Sequence, residues 1–193
     1  EVIFPESMSL IDGYSFSYCK NLRTVTIPGH IDITGIRAFY ACTELTSITL
    51  PEKIEAIEKN MFSWCESLAE ITIPENVTNI NSAAFKNAAK LAKITFTEGL
   101  TYIGAAAFEG CTSLTAIELP ATMETIANGA FRNAGLKSVK TGDGLAKISA
   151  EAFAGNKALA TVVLGKNVEK LGVGAFKDCV ALAKLELPAS LND

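Results

Sequence analysis

Cysteine is the residue type in this chain with the most chemical potential. The five cysteines are Cys19, Cys42, Cys65, Cys111 and Cys179, and their spacings are multiples of the interval from Cys19 to Cys42, apart from a slip of one position. Thiolates bind zinc and carry redox chemistry, but a tetrahedral site needs ligands that converge on one point. Cysteines that recur at a fixed interval form a line instead, and an odd number excludes a complete disulfide framework. The pattern favours a ladder of small buried side chains and no bound metal.

His30, the only histidine, is the other residue that suggests catalysis. A catalytic histidine needs a nucleophile or an orienting group beside it, and the sequence places none there. No nucleophile-elbow, metalloprotease, phosphate-loop or dinucleotide-binding motif occurs. We therefore expect a protein that is not an enzyme, with no catalytic residues and no cofactor.

Charge and hydropathy exclude two kinds of partner. The formal net charge is −4 and the basic residues form no cluster, whereas nucleic acid attracts clustered Lys and Arg. No apolar run approaches the ~20 residues that a membrane span requires. The first residues also lack the apolar segment of a secretory signal. We expect no nucleic-acid partner and no membrane span.

One repeat period, about 23 residues long, organises the whole chain. Pro5, Pro28, Pro51 and Pro74 are evenly spaced by this period, and Pro120 lies two periods further on. We call the position of these prolines in the repeat the anchor position. A phenylalanine lies at one fixed distance after each anchor position: Phe16, Phe39, Phe62, Phe85, Phe108, Phe131, Phe153 and Phe176. The register slips once, where the stretch Ala134-Gly135-Leu136 is short by a single position. Such a period predicts a solenoid, and we interpret residues 1–193 as a single domain of about eight repeats.

Two patterns within each repeat predict its secondary structure. The motif L-x-x-I-x-L, as at Leu114, Ile117 and Leu119, alternates like a half-buried strand. It ends at the proline position, where no ladder hydrogen bond can be donated. The segment Ala-Phe-x-x-Cys-x-x-Leu has apolar residues three and four apart, which predicts a short helix or 3₁₀ turn opposite the strand. The expected fold class is an α/β solenoid.

The unit from Leu45 to Cys65, with its Leu, Ile, Pro, Phe and Cys positions, resembles the BspA-like class of leucine-rich repeats. The resemblance covers essentially the whole chain. Departures are local, with Ala88, Ala134 and Asn156 at the Cys position and Thr97, Gly142 and Gly165 at the Pro position. The resemblance implies a right-handed leucine-rich-repeat superhelix with one parallel sheet on the concave side and short helices or turns on the convex side. It also implies a bacterial cell-surface or secreted protein, because most members of the family are such proteins, and some members act as adhesins.

The outward strand positions form the candidate binding face. They are Thr24, Thr26, Ser47, Thr49, Glu70, Thr72, Lys93, Thr95, Glu118, Lys140 and Glu186. Threonine stacks well in strands, which is a purely structural reason for its presence. The same residues would tile a flat polar surface on the concave side, suited to a protein or glycan partner. The two interpretations are not exclusive.

Three aromatic residues form a second candidate. Tyr18 and Trp64 share the position before Cys, and Tyr40 lies one position earlier in the repeat between them. Exposed rings would form a contact patch of the kind found at binding hot spots. Alternatively, the rings pack over the convex turns or cover the N-terminal end.

Two functions fit these patterns. One is a non-catalytic surface or secreted binding module that contacts host matrix proteins or other cells through the concave face. The other is a structural stalk that displays another domain. Neither end of the array shows the polar cap that a solenoid needs, so we expect an excerpt of a longer protein or end repeats covered by other chains.

Overall fold

The computed structural model describes residues 2–33 and 35–192, which form a parallel β-solenoid of about seven turns with the leucine-rich-repeat fold. We number the repeats 1 to 8 from anchor positions 5, 28, 51, 74, 97, 120, 142 and 165. The strands are β1 (Leu10–Ile11), β2 (Thr24–Thr26), β3 (Asp32–Ile33), β4 (Ser47–Thr49), β5 (Ala56–Ile57), β6 (Glu70–Thr72), β7 (Asn79–Ile80), β8 (Lys93–Thr95), β9 (Tyr102–Ile103), β10 (Ala116–Glu118), β11 (Thr125–Ile126), β12 (Ser138–Lys140), β13 (Lys147–Ile148), β14 (Thr161–Val163) and β15 (Lys170–Leu171).

The strands stack in two parallel columns, so the expectation of one sheet is wrong. The even-numbered strands have three residues and lie at the L-x-x-I-x-L motif, which confirms the strand predicted there. The odd-numbered strands have two residues, and β5 to β15 form a six-stranded sheet of their own. This second column lies at the isoleucine position of the repeat. The recurrence of an apolar residue there indicates that the side chain is buried, but it does not show that the backbone pairs as a strand.

A continuous stack of phenylalanine rings runs through the core. The eight rings at the repeated position lie with successive centroids 5.0–5.8 Å apart and nearly parallel planes. The six inner rings are fully buried, and only Phe16 and Phe176 at the two ends are half-buried. Phe4 and Phe96 pack edge-on against this stack. Aromatic pairs of this kind add about 0.5–1.5 kcal/mol beyond the burial of their area, so each repeat is tied to the next.

The predicted helices are wrong, because the described residues contain strands and turns but no helix. In every repeat two residues four positions apart have positive φ and flank the phenylalanine; in repeat 5 they are Ala106 (φ 55°) and Gly110 (φ 76°). A left-handed residue interrupts a right-handed helix. The three-and-four spacing instead reflects consecutive turns, in which the N–H of Cys65 donates to the Phe62 carbonyl and that of Leu68 to the Cys65 carbonyl.

The turn segment is held by the neighbouring repeat. The N–H groups of Phe85 and Asn87 donate to the carbonyls of Ala107 and Glu109 in the next repeat, at 2.8 Å each. These donors would have bonded within the segment had it been helical. The turns therefore form a third hydrogen-bonded ladder along the solenoid. No helix in residues 2–33 or 35–192 is long and apolar enough to cross a membrane.

Repeat 2 departs from the common register. β1 pairs with β3 through Leu10↔Asp32 and Ile11↔Ile33, which is one position short of the full period that separates Ile57 from its partner Ile80. The repeat period assigns this inward position to Thr34, which lies outside the described residues. Ile33 is buried in its place, so an apolar side chain still meets Ile11. The two-residue column is interrupted between β3 and β5.

Candidate binding surfaces

The three-residue strands present their outer side chains in two rows, which we call the strand face. In β2 the middle residue Val25 is buried and the flanking Thr24 and Thr26 are exposed, as the alternation of a strand requires. Ten of the eleven residues predicted for this face lie on β2 to β12, and Glu186 lies on no strand of the described part. The face continues onto β14 with Thr161 and Val163, which occupy the same two outward positions of the repeat. All eleven predicted residues are exposed: Thr24, Thr26, Ser47, Thr49, Glu70, Thr72, Lys93, Thr95, Glu118, Lys140 and Glu186.

Strand register brings like side chains together along the rows. Thr26 lies opposite Thr49 and Thr24 opposite Ser47, while Thr72 lies opposite Thr95. Parallel neighbours are about 4.8 Å apart, so the hydroxyls form an almost continuous stripe. Further along, Lys140 and Glu118 are register partners and form an ion pair. The face is thus hydroxyl-rich at one end and charged at the other.

A groove interrupts the face between β4 and β6. The three-residue column is divided into the sheets β2–β4, β6–β8 and β10–β12–β14, so β4 and β6 share no sheet. The groove has a volume of about 710 Å³. It is lined by Ser47, Ile48, Thr49, Leu50, Glu52, Glu70, Ile71, Thr72, Ile73, Pro74, Glu75, Asn76 and Thr97. Four of the predicted face residues therefore converge on one concavity.

Three carboxylates line the groove, and Lys93 lies opposite one of them, Glu70, in the β6–β8 register. Glu52, Glu70 and Glu75 take part in no ion pair among residues 2–33 and 35–192. The amide of Asn76 is anchored, since its Nδ2 donates to the Glu52 carbonyl at 3.0 Å. Carboxylates, hydroxyls and an amide together offer many acceptors to a partner that brings hydrogen-bond donors.

The aromatic residues of repeats 1 to 3 are on the turn side and remain accessible. Tyr18 is 62% exposed and Trp64 is 42% exposed, while Tyr40 is half-buried. The rings of Tyr18 and Tyr40 meet edge-on with centroids 5.4 Å apart. Within the described part no ring contact links Trp64 to them. The structure thus joins two of the three predicted residues.

Two residues of the same area were not predicted. The guanidinium of Arg37 lies over the ring of Tyr14 at 5.6 Å and over the ring of Tyr40 at 5.3 Å. Tyr14 and Arg37 are one full period apart, so they occupy the same position in successive repeats. This shared position is the sequence signal that identifies the pair.

The cysteine position is structural in four of its five occurrences. Cys42, Cys65, Cys111 and Cys179 are buried, but Cys19 is exposed, so the prediction of a fully buried ladder is wrong at the first repeat. In each buried case Sγ donates to the phenylalanine carbonyl of the preceding repeat at 3.1–3.2 Å. Desolvation raises the pKa of the Cys42 and Cys111 thiols from 9.0 to about 12, and it raises the pKa of Cys65 and Cys179 as well. These thiols are therefore protonated and poorly nucleophilic at neutral pH.

Asn156 occupies the cysteine position of repeat 7 and replaces the thiol with a fuller set of hydrogen bonds. Its Nδ2 donates to the carbonyls of Phe131 and Phe153 at 2.8 Å, and its Oδ1 accepts from the N–H of Leu136 at 2.9 Å. The side chain is buried. A residue that looks like a departure in the sequence thus performs the same role as cysteine.

The side chain of His30 forms part of neither candidate surface. It is exposed, and its backbone carbonyl accepts a hydrogen bond from Lys53 Nζ at 2.9 Å. Among residues 2–33 and 35–192 no three His, Cys, Asp or Glu side chains are grouped as metal ligands.

The repeats of this chain match the model of a known protein family. The model of the BspA type leucine rich repeat region matches six copies within residues 1–115 and 78–193. The two matched ranges together cover the chain. The comparison with curated proteins gives no match.

Solved structures of bacterial leucine-rich-repeat proteins share the fold. A Treponema pallidum leucine-rich-repeat protein is 29% identical with a TM-score of 0.78, over 94% of this chain and 86% of that one. A Bacteroides ovatus leucine-rich-repeat protein is 26% identical with a TM-score of 0.69, over 96% of this chain and 60% of that one. A leucine-rich cell surface protein of Faecalibacterium prausnitzii is 24% identical with a TM-score of 0.51, over 95% and 65% respectively; this last similarity concerns the fold alone.

Proposed function

Because this chain belongs to the family of BspA-type leucine-rich-repeat proteins, we propose that it is a surface-displayed or secreted binding module. Its partner is a protein or a glycan, and the contact is made by the strand face. The observation that carries the proposal is the groove of about 710 Å³ between β4 and β6, which lies in the middle of the hydroxyl stripe. Binding sites are concavities with a few convergent polar groups.

The strand face is preorganised for binding. Its side chains project from strands whose middle residues, such as Val25, Ile48 and Ile71, are buried in the core. The backbone is therefore ordered before a partner arrives. Threonine side chains also have little rotamer freedom to lose. Binding of a partner therefore costs little conformational entropy in the strand face, which favours affinity.

The location at the cell surface is part of the proposal. The family resemblance supports it, and a protein of the same fold from Faecalibacterium prausnitzii is described as a cell surface protein. An adhesin role, in which the strand face contacts host matrix proteins or other cells, is the specific form that we propose.

One observation favours a second function, that of a stalk. The phenylalanine stack and the turn ladder connect every repeat to the next, from Phe16 to Phe176. Such continuous contacts make a stiff spacer, and a spacer needs no partner on the strand face. The two functions differ in whether the strand face binds anything.

The test is binding of the purified chain to immobilised matrix proteins and to a glycan array. A variant with Thr49, Thr72 and Thr95 changed to Lys places three bulky cations on the stripe, and Thr112→Lys on the exposed turn side is the matched control. We expect the triple variant to lose binding and the control to retain it. If the triple variant binds as well as the native chain, the strand face is not the site. If the folded native chain binds nothing, the stalk is favoured.

A further inference from the structure

The turn side of repeats 1 and 2 carries a second surface, which does not depend on the strand face. We name it the tyrosine–arginine patch and define it by Tyr14, Tyr18, Ile36, Arg37 and Tyr40. We propose that this patch docks a segment of a partner protein that places a carboxylate beside apolar side chains. Two features support this assignment: the environment of Arg37 and the exposure of the patch.

The guanidinium of Arg37 is held in place without a carboxylate partner. It lies between the rings of Tyr14 and Tyr40, at 5.6 and 5.3 Å from their centroids, and its Nη1 donates to the Tyr14 hydroxyl at 3.2 Å. Its Nε is buried and has no acceptor among the described residues. Arg37 also takes part in no ion pair within residues 2–33 and 35–192. Contacts with two rings orient the charge but leave it uncompensated.

Another arginine on the turn side shows the compensated arrangement. Arg132 donates to Glu109 at 3.0 Å and to Glu151 at 2.9 Å, and Lys86 also pairs with Glu109 at 2.9 Å. The hydrogen bonds from Arg132 to Glu109 and Glu151 raise its pKa. Arg37 has the same planar set of donors, which match a carboxylate in a bidentate geometry. In the proposed complex the partner supplies a carboxylate to Arg37, as Glu109 and Glu151 of the chain do to Arg132.

The backbone of the patch is strained. Tyr14, Tyr18 and Arg37 have φ of 60–61°, a left-handed conformation that is unfavourable for a residue with a Cβ. Large side chains occupy these strained positions although they are exposed, with Tyr14 at 56% and Tyr18 at 62%. Tyr14 contacts Arg37 and Tyr18 contacts Tyr40, and more than half of Tyr14 and of Tyr18 stays open to a partner. The same two left-handed positions recur in the later repeats, where some are occupied by glycine, as at Gly129 and Gly110, and others by residues with a Cβ, as at Glu151 and Trp64.

The composition of the patch favours a protein partner over a glycan. Tyrosine and arginine are enriched at the centres of protein–protein interfaces. Ile36, which is 45% exposed next to Arg37, adds an aliphatic contact that suits an apolar side chain. A segment with Asp or Glu beside Leu or Phe satisfies both the charge and the apolar surface.

Labelled peptides test the proposal directly. Three short fluorescent peptides of equal length share the same Leu and Phe positions and carry Glu, Gln or Lys at the remaining positions, and anisotropy measures their binding to the intact chain. We expect the Glu peptide to bind at least roughly tenfold more tightly than the Gln peptide, with affinity falling as salt rises. Arg37→Gln is expected to remove that preference. Tyr18→Ser, at an exposed position, is expected to weaken binding independently.

Controls separate this surface from the strand face and from misfolding. The triple Lys variant of Thr49, Thr72 and Thr95 should bind the Glu peptide no more weakly than the native chain does, and circular dichroism should show both patch variants folded. The proposal is overturned if the Glu and Gln peptides bind equally, or if Arg37→Gln retains the preference while folded. If Arg37→Gln does not fold, Tyr18→Ser decides, and the proposal is overturned if this variant binds the Glu peptide as tightly as the native chain does. Binding of acidic glycans with no binding of the Glu peptide would also overturn it, because the partner is then a carbohydrate.

Discussion

The Sγ of Cys65 donates a hydrogen bond to the carbonyl oxygen of Phe39, 3.1 Å away in the preceding repeat. The same bond recurs from Cys42 to Phe16 and from Cys111 to Phe85. The Phe and Cys positions of the repeat are therefore coupled between neighbours, since the carbonyl of one repeat is satisfied by the side chain of the next. The Phe39 carbonyl also accepts the N–H of Cys42 at 3.4 Å, so the thiol is its second donor, and a hydrogen bond of this kind contributes about 0.5–1.5 kcal/mol.

Substitution of Asn156 tests this coupling where it is strongest. Asn156→Ala removes the acceptor of the Leu136 N–H and one of two donors to the Phe131 carbonyl, which keeps the N–H of Ala134, and we expect a loss of about 1–3 kcal/mol in the free energy of unfolding. Asn156→Cys restores a donor to Phe131 and should lose less. Urea denaturation of both variants checks the order, and equal stability of Asn156→Ala and the native chain would contradict the coupling.

The phenylalanine stack makes Phe108 a sensitive position. Its ring lies 5.1 Å from Phe85 and 5.0 Å from Phe131 and is fully buried. Phe108→Ala should cost about 3–5 kcal/mol through the cavity that it leaves. Phe16→Ala, in the half-buried first ring, is the control and should cost clearly less. Thermal melts compare the two, and similar losses would show that the central rings contribute no more than the end ring.

Thiol labelling distinguishes Cys19 from the other cysteines. With the native chain at pH 8 and an excess of a thiol reagent, we expect one fast reaction, at exposed Cys19, and four slow ones. Cys19→Ala should abolish the fast phase. Rapid reaction of several thiols in that variant would show that the buried positions open readily.

The same thiols predict a loss of stability at high pH. Burial raises the pKa of Cys111 from 9.0 to about 12, so above pH 9 the unfolded thiol ionises while the folded one stays protonated. Its contribution is complete below pH 9 and is lost as pH rises towards 12. Stability measured at pH 8 and pH 10.5 should therefore fall more for the native chain than for Cys111→Ala. An equal fall in both would rule out this thiol as a cause.

The left-handed turn positions offer a stabilising substitution. Ala106 has a φ of 55°, and glycine adopts this conformation without steric cost, so Ala106→Gly should raise the free energy of unfolding by roughly 0.5–1 kcal/mol. Ala107→Gly is the matched control, since Ala107 is buried and its φ is not positive. It should lower stability by a similar amount. Urea denaturation measures both, and if both substitutions destabilise, the strain at Ala106 is not released by glycine.

The sequence by itself determined the period, the inward residues and the three-residue strands. Burial in a solenoid recurs with the repeat, so the positions of Phe62, Cys65 and Leu68 are visible as an apolar pattern, and all three are buried. The exposure of the strand face follows from the same pattern, because the residues beside each inward isoleucine must point outward. The class of repeat follows from these positions too.

The tertiary structure alone decided where the backbone groups bond. Apolar residues three and four apart fit a helix and a chain of turns equally well, and only the positive φ at positions such as Trp64 and Asn87 distinguishes them. The second strand column, the groove between β4 and β6 and the placement of Arg37 between two tyrosines all depend on contacts between repeats. The physical reason is that side-chain periodicity reports which residues leave water. It does not report the partner of each N–H and carbonyl, which in this solenoid lies either three residues away in a turn or about one period away in the next repeat.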